Sequence, residues 1–323
     1  MRPYAALLVG DELRSVHRAV VCTGGSVMLA ANFEDARRRV LEQPFKYLIV
    51  HLGDDLRGRL IEVAAFHREH PLVHPILLAV PTPAADWSLL LEEVCAEIVL
   101  STESPWFESE LLATLRKLEH QLSFGPSVYL PGSARIFEVL VTSSQDKVKI
   151  LDQVSGFLTE LAIGGRSVRR VLDVVDELVM NAVYDAPVDA QGHALYAGLS
   201  RSTPVILRSQ ERAIFSYGSD GRTLALSISD PFGGLSISTF RRYIAKGLRG
   251  GNDQIDQKDG GAGLGLYLQF ENVGSLCLNV QPGLRTEVVG LLDVSGSYRE
   301  MSTTPKSLSC FRIGGSGLGR EPE

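Results

Sequence analysis

Four cysteines are spread over 323 residues, and Cys22, Cys95, Cys277 and Cys310 lie far apart in sequence. That spacing excludes a metal-ligand pair of the Cys-x-x-Cys kind and a disulfide framework, and leaves buried, reduced thiols. No apolar run is long enough to span a bilayer. Met1 is not followed by a charged segment and a long apolar one, so no secretory signal is evident. A cytoplasmic location with no membrane partner is the expectation. Basic charge is not in excess either. Lys and Arg number 32 against 38 Asp and Glu, for a formal net charge of -6. A surface that tracks nucleic-acid phosphates is therefore not favoured, and no direct nucleic-acid partner is expected. The local clusters Arg37-Arg38-Arg39 and Arg241-Arg242 read as solvated helix faces.

What remains is ordinary soluble material. Hydrophobic residues make up 45% and charged residues 22%, and the length predicts two domains, each able to bury its own core. Over residues 1–122 short apolar runs alternate with amphipathic stretches. Strands are predicted at Ala5 to Val9, Ser26 to Ala31, Tyr47 to Leu52, Pro75 to Val80 and Glu97 to Leu100. Helices are predicted at Leu13 to Val21, Phe33 to Leu41, Leu60 to His67, Trp87 to Cys95 and Phe107 to Leu122. Tyr47 to Leu52 and Pro75 to Val80 are apolar without alternation, as in strands covered on both faces. This alternation predicts a parallel α/β sandwich.

Residues 123–134 hold Phe-Gly-Pro and Leu-Pro-Gly and read as a linker. From residue 135 to 301 the pattern is different. A strand, Phe137 to Val141, precedes Ser143 and Ser144, the N-cap candidates for a helix carrying Ile150, Val154, Phe157, Leu158 and Leu161. A second helix, Ser167 to Asp185, carries Val171, Leu172, Val175, Leu178, Val179 and Ala182 on one face. A hairpin follows, from Arg212 to Tyr217 and from Thr223 to Ser229. Ser275 to Val280 and Thr286 to Asp293 are the last strands. Grouped helices and grouped antiparallel strands predict an α+β sandwich. Residues 302–323, rich in Ser, Thr and Gly, read as a flexible tail in which Leu308 to Ile313 is the stretch able to dock.

Three short segments of this second domain carry chemistry. Glu177 and Asn181 are four apart and share a helical face. An amide facing inward on an apolar helix needs partners, and a Mg²⁺ ion bridging Asn181 to a phosphate supplies one. Glu177, one turn earlier, is placed to orient or deprotonate an attacking group. The alternative is a solvated Glu and an Asn bonded to a neighbouring loop. Asp230 ends an apolar strand before Pro231-Phe232-Gly233-Gly234. A carboxylate there accepts from the exocyclic amine of adenine, whereas guanine presents a carbonyl to it. The alternative is an Asp capping a turn. Asp259-Gly260-Gly261-Ala262-Gly263-Leu264-Gly265 lets a backbone approach phosphates at the start of a helix expected from Leu266. No Gly-Lys-Ser/Thr ends it, so it is no P-loop. Phe240 to Lys258 has the composition of a mobile lid, with Lys246 and Arg249 available to phosphates.

In their order and spacing these segments resemble the boxes of the GHKL (Bergerat-fold) superfamily of ATP-binding domains, over roughly residues 135 to 295. Glu177, Asn181, Ala182 and Ala186 resemble its N-box, with Asp185 where His is frequent. Asp230, Gly233 and Gly234 resemble the G1 box, with Phe232 in place of its first glycine. Gly261, Gly263 and Gly265 match the G2 box, and Thr286 resembles the Thr that helps hold adenine. The lead-in before the N-box is most similar to the anti-sigma-factor serine kinases. The resemblance implies ATP and Mg²⁺ as cofactors, with Asn181 as metal ligand, Glu177 as general base and Asp230 as adenine reader. Asp185, Gly233, Gly234, Gly261, Gly263, Gly265 and Thr286 complete the implied cofactor site.

Residues 1–122 resemble a degenerate response-regulator receiver. Gly10-Asp11-Glu12 keeps at least one acid after the first strand, but His51 stands where the phosphoacceptor Asp belongs. The usual hydroxyl near Val80 and Lys near Thr102 are missing, and Asp54 and Asp55 fall in the loop beyond. Phosphotransfer to this domain is not expected, and His51 reads as a partly buried structural residue. Together the resemblances imply an ATP-binding signalling protein, either an anti-sigma-type serine/threonine kinase or an ATP-dependent switch. The implied partner is a regulatory protein: a sigma factor, an anti-anti-sigma-like protein or another signalling protein. A homodimer stays open. A non-catalytic ATP-gated interaction module is the alternative. A histidine kinase needs a helical hairpin for which too little chain separates His120 from Glu177.

Overall fold

A computed structural model describes residues 3–10, 13–80, 84–93, 95–120, 124–249 and 262–314. The chain divides into two compact units, Met1–Leu122 with Pro305–Ser309 and Gly314–Glu323, and Ser123–Thr304 with Cys310–Ile313. Among the described residues no helix is long and apolar enough to cross a membrane.

In the first unit, strands β1 (Tyr4–Val9), β2 (Gly25–Ala30), β3 (Tyr47–His51), β4 (His74–Ala79) and β5 (Ile98–Ser101) alternate with helices. These are α1 (Arg14–Cys22), α2 (Phe33–Glu42), α3 (Leu56–Glu69), α4 (Ala84–Glu92) and α5 (Phe107–His120). The strands pair in the parallel order β2-β1-β3-β4-β5. Leu48, Ile49 and Val50 of β3 and Ile76, Leu77 and Leu78 of β4 are fully buried, as their unbroken apolar runs require. The α/β class expected from the sequence is therefore present. α3 begins earlier than expected, because Asp55 caps it: its carboxylate accepts the Gly58 N–H at 3.0 Å.

The second unit opens with β6 (Ile136–Val141), α6 (Asp146–Glu160) and α7 (Gly165–Met180), which runs on into a π turn over Asn181–Asp185. After a long loop come β7 (Ala213–Ser219), β8 (Thr223–Asp230), α8 (Ile237–Arg249), α9 (Ala262–Asn272), β9 (Ser275–Gln281), β10 (Arg285–Asp293) and α10 (Tyr298–Ser302). The strands are antiparallel in the order β9-β10-β8-β7-β6. α7 packs on β8, on α6 and on α9. At the far edge Phe137, Phe157 and Tyr217 form one aromatic cluster, with Phe137 stacked on Tyr217 at 5.0 Å.

Four expectations are corrected here. Neither Ser143 nor Ser144 caps α6. Asp146, at its first position, folds back to accept the Thr142 and Ser143 N–H groups at 2.8 and 2.9 Å. The Ser144 hydroxyl instead accepts the Val205 N–H at 3.0 Å. Residues 240–249, read as part of a lid, belong to α8, which buries Ile237, Phe240, Arg241, Ile244 and Ala245. Residues 250–258 lie outside the described residues. α9 starts at Ala262 rather than Leu266, so Gly263 and Gly265 are helical, while Gly261 lies outside the described residues. Residues Ser307–Arg312, inside the stretch expected to be a tail, form strand β11, in which Leu308 and Cys310 are buried. In the first unit Leu308 and Ser309 pair with Val99 and Ile98 of β5.

Candidate functional site

α7 is amphipathic, burying Val171, Val174, Val175, Leu178 and Val179. At its C-terminal end the polar residues Glu177, Asn181 and Asp185 recur every fourth position. The π turn keeps them together: the Ala186 N–H bonds the Asn181 carbonyl, five residues back, at 3.0 Å. Such turns are uncommon and frequent at functional sites.

A residue that sequence reasoning missed stands at the centre of this group. Arg201 comes from the loop between the π turn and β7. Its Nη2 donates to Asp185 Oδ2 at 2.8 Å and to Asn181 Oδ1 at 3.2 Å. Its Nη1 lies 3.9 Å from Glu177 Oε2. The loop is held in place by Tyr184, whose buried hydroxyl donates to the Thr203 carbonyl at 2.6 Å, with the Arg201 carbonyl at 3.2 Å. No local motif marks Arg201, because its partners lie a whole loop earlier in the chain.

Burial raises the pKa of Glu177, with Arg201 opposing. Burial pushes Asp185 up to about 6, again against Arg201 and with help from the Glu177 charge. A carboxyl raised in the fold costs stability wherever it is ionised in both states, and costs nothing below its unfolded pKa. The cost therefore grows as pH rises from about 4 to about 6 and is constant above. Asp185→Asn, which keeps an acceptor for Arg201, should stabilise the protein by roughly 2–3 kcal/mol at pH 8 and by almost nothing at pH 4. Urea unfolding at the two pH values checks this. An equal change at both would show that ionisation of Asp185 is not the cause.

Next to this cluster lies a cavity of about 770 Å³, whose lining includes Asn181, Asp185, Asp230, Gly234, Gln269 and Thr286. Part of the wall is the stretch from Ala197 to Ser200, just before Arg201. Asp230 closes β8 and accepts the Phe232 N–H at 2.9 Å. Burial pushes its pKa up to about 6, opposed by the N–H groups of Phe232 and Gly233 and by Thr286. Thr286 is its partner across the β8–β10 ladder. Gln269 of α9 is 1% exposed, and its Oε1 has no hydrogen-bond partner among the described residues. A buried acceptor without a donor is costly unless a ligand supplies one.

The glycines divide by role. Gly234 borders the cavity with open space around it. Gly233 (φ +63°) is packed instead against the β9–β10 turn, where a Cβ would sit 2.2 Å from the Gln281 carbonyl oxygen. Gly265 lets α9 lie against α7: a Cβ there would be 2.3 Å from Glu177 Oε2 and 3.4 Å from the Asn181 amide. Gly263 is the second residue of the same helix.

The cavity volume is within the roughly 300–1,000 Å³ of small-molecule sites. With the Asp230 carboxylate and the Gln269 amide oxygen as acceptors, its residues fit a ligand that donates through an amine, as adenine does. They do not fit a magnesium ion with Arg201 in place, because the guanidinium already stands against Asn181 Oδ1 and Asp185 Oδ2 and would repel a second cation there. Among the described residues no group of three or more His, Cys, Asp and Glu side chains is placed to hold a metal.

In the first unit His51 ends β3 beside Gly10 (φ +111°), where a Cβ would be 3.2 Å from the His51 Cβ. Asp55 is committed to its cap. The acids Asp11 and Glu12 lie outside the described residues.

No family model matches the chain, and no curated protein does. Among solved structures it is similar to a response regulator from Thermotoga maritima, at 19% identity and a TM-score of 0.31, over 36% of this chain and 97% of that one.

Proposed function

We propose that the second unit binds ATP and that the chain is a signalling protein in which nucleotide gates contact with a regulatory protein partner. The reading is carried by polar residues of the cavity lining: Asp230 beside Thr286, with the unpaired Gln269 oxygen in the same lining. Asn181 and Asp185, in the same lining, support it, with Glu177 one turn before Asn181. ATP should bind more tightly than GTP, because the guanine carbonyl would oppose Asp230. Asp230→Ala should weaken ATP binding by roughly 1.5–3 kcal/mol, about tenfold or more, with the fold intact. Calorimetry with both nucleotides checks this. Equal affinities for the two, or unchanged affinity in the variant, would make Asp230 a turn cap only.

A second reading, phosphoryl transfer to a protein serine or threonine, is favoured by one observation. Burial raises the pKa of Glu177, the direction that makes a carboxylate a stronger base. Against it, Arg201 and Gly265 already crowd the Glu177 carboxylate. Labelled γ-phosphate, followed with each partner that co-purifies in an ATP-dependent way, separates kinase from gate.

A further inference from the structure

We propose that Arg201 holds the position a divalent cation would take, so that nucleotide enters this site without metal. The inference rests on the ATP reading for its ligand, but its structural basis is independent of it. Three oxygen-bearing side chains, Glu177, Asn181 and Asp185, converge from one helix and its π turn. That is a hard-oxygen set of the kind magnesium prefers. The guanidinium is already inside it, at 2.8 Å from Asp185 Oδ2, 3.2 Å from Asn181 Oδ1 and 3.9 Å from Glu177 Oε2.

A magnesium ion needs near-octahedral oxygen at about 2.0–2.1 Å. To take Asn181 and Asp185 as ligands it would have to sit within a few ångström of the Arg201 guanidinium, and the repulsion between the two cations leaves eviction of Arg201 as its way in. Eviction is resisted from the backbone side, where Tyr184 ties the loop at Thr203 and Arg201. The guanidinium already performs two tasks of a metal here. It offsets carboxylate charge and satisfies the inward-facing amide oxygen. The same loop runs directly into the cavity wall at Ser200, so the built-in cation and the ligand space belong to one segment.

Two measurements on the whole chain of 323 residues test this. In the first, ATP affinity is measured by calorimetry with Mg²⁺ and with EDTA. Wild type should change by less than about threefold. Arg201→Ala, which frees the three side chains for a metal, should bind ATP at least about tenfold more tightly with Mg²⁺ than with EDTA. The second measurement needs no nucleotide. Mn²⁺ titrated into the protein and followed by electron paramagnetic resonance should find no site in wild type that Asn181→Ala removes. It should find one in Arg201→Ala. Wild-type ATP binding lost with EDTA, or a wild-type Mn²⁺ site lost in Asn181→Ala, overturns the proposal while leaving ATP binding standing. Absence of ATP binding in both buffers defeats the ATP reading, and metal-free nucleotide entry falls with it. The Mn²⁺ result then still shows whether Arg201 excludes a metal. Should Arg201→Ala fail to fold, both wild-type arms remain decisive.

Discussion

Gly233→Ala is expected to destabilise the second unit by roughly 2–5 kcal/mol, the sum of a left-handed backbone and a steric clash. At φ +63° any L side chain is strained, and here the new Cβ also meets three backbone atoms. It would lie 2.2 Å from the Gln281 carbonyl oxygen and 2.7 Å from the amide nitrogens of Gly283 and Leu284. Backbone cannot swing aside as a side-chain tip does. Gly283 supplies the control. Its φ is +70°, yet nothing lies within 4 Å of its Cβ position, so Gly283→Ala should cost only about 1–2 kcal/mol. Asn tolerates the left-handed region better than Ala but carries the same Cβ, so Gly233→Asn should not rescue the fold. Urea unfolding of the three variants measures the difference. If Gly233→Ala and Gly283→Ala are equally mild, the packing of Gly233 on the β9–β10 turn is not as described. The consequence for the site is direct, because Gly233 fixes the turn that joins Asp230 to Gly234.

Phe240→Ala should cost about 3–5 kcal/mol, the range for emptying a fully buried phenyl site. A residue in a mobile lid would cost almost nothing. The contrast arises because Phe240 is 0% exposed on the inner face of α8, beside Ile237, Ile244 and Ala245. Thr239 and Tyr243, on the same helix, line the cavity. Loss of Phe240 should therefore also loosen the ligand space. Denaturant unfolding gives the energy, and amide hydrogen exchange along Phe240 to Lys246 gives the local effect. Fast exchange there in wild type, with an unchanged unfolding midpoint in the variant, would restore the lid reading.

How far sequence alone reaches is instructive at particular residues. The unbroken apolar runs of β3 and β4 locate strands buried on both faces, and Leu224, Leu226 and Ile228 locate β8 because their spacing matches the two-residue repeat of a strand, although the residues between them are buried as well. The Glu177–Asn181 pair is visible for the same reason on a helix. α8 is misread although Ile237, Phe240 and Ile244 fall three and four apart. Polar residues and Gly247 dominate its average composition, and composition hides a narrow apolar stripe. Ser143 and Ser144 are good caps by residue type, but the Ser144 hydroxyl is taken by the Val205 N–H, and Asp146 ties the chain before the helix by accepting the Thr142 and Ser143 N–H groups. Arg201 is invisible for a different reason. Its position depends on where a loop is tethered in space, and no local pattern encodes that.

The π turn after Met180 amounts to an insertion of one residue into an α-helix. Its effect is felt by two neighbours at once. Asp185 is brought over Asn181 to grip the tip of Arg201, and Tyr184, immediately before it, grips the backbone at the root of the same arginine. The cavity-lining Asp185 and the loop that brings Ala197 to Ser200 into the same lining are thereby tied to adjacent positions. A descendant sequence that lost the extra residue would move both grips together, so this stretch and the loop it holds can only drift through evolution as a pair.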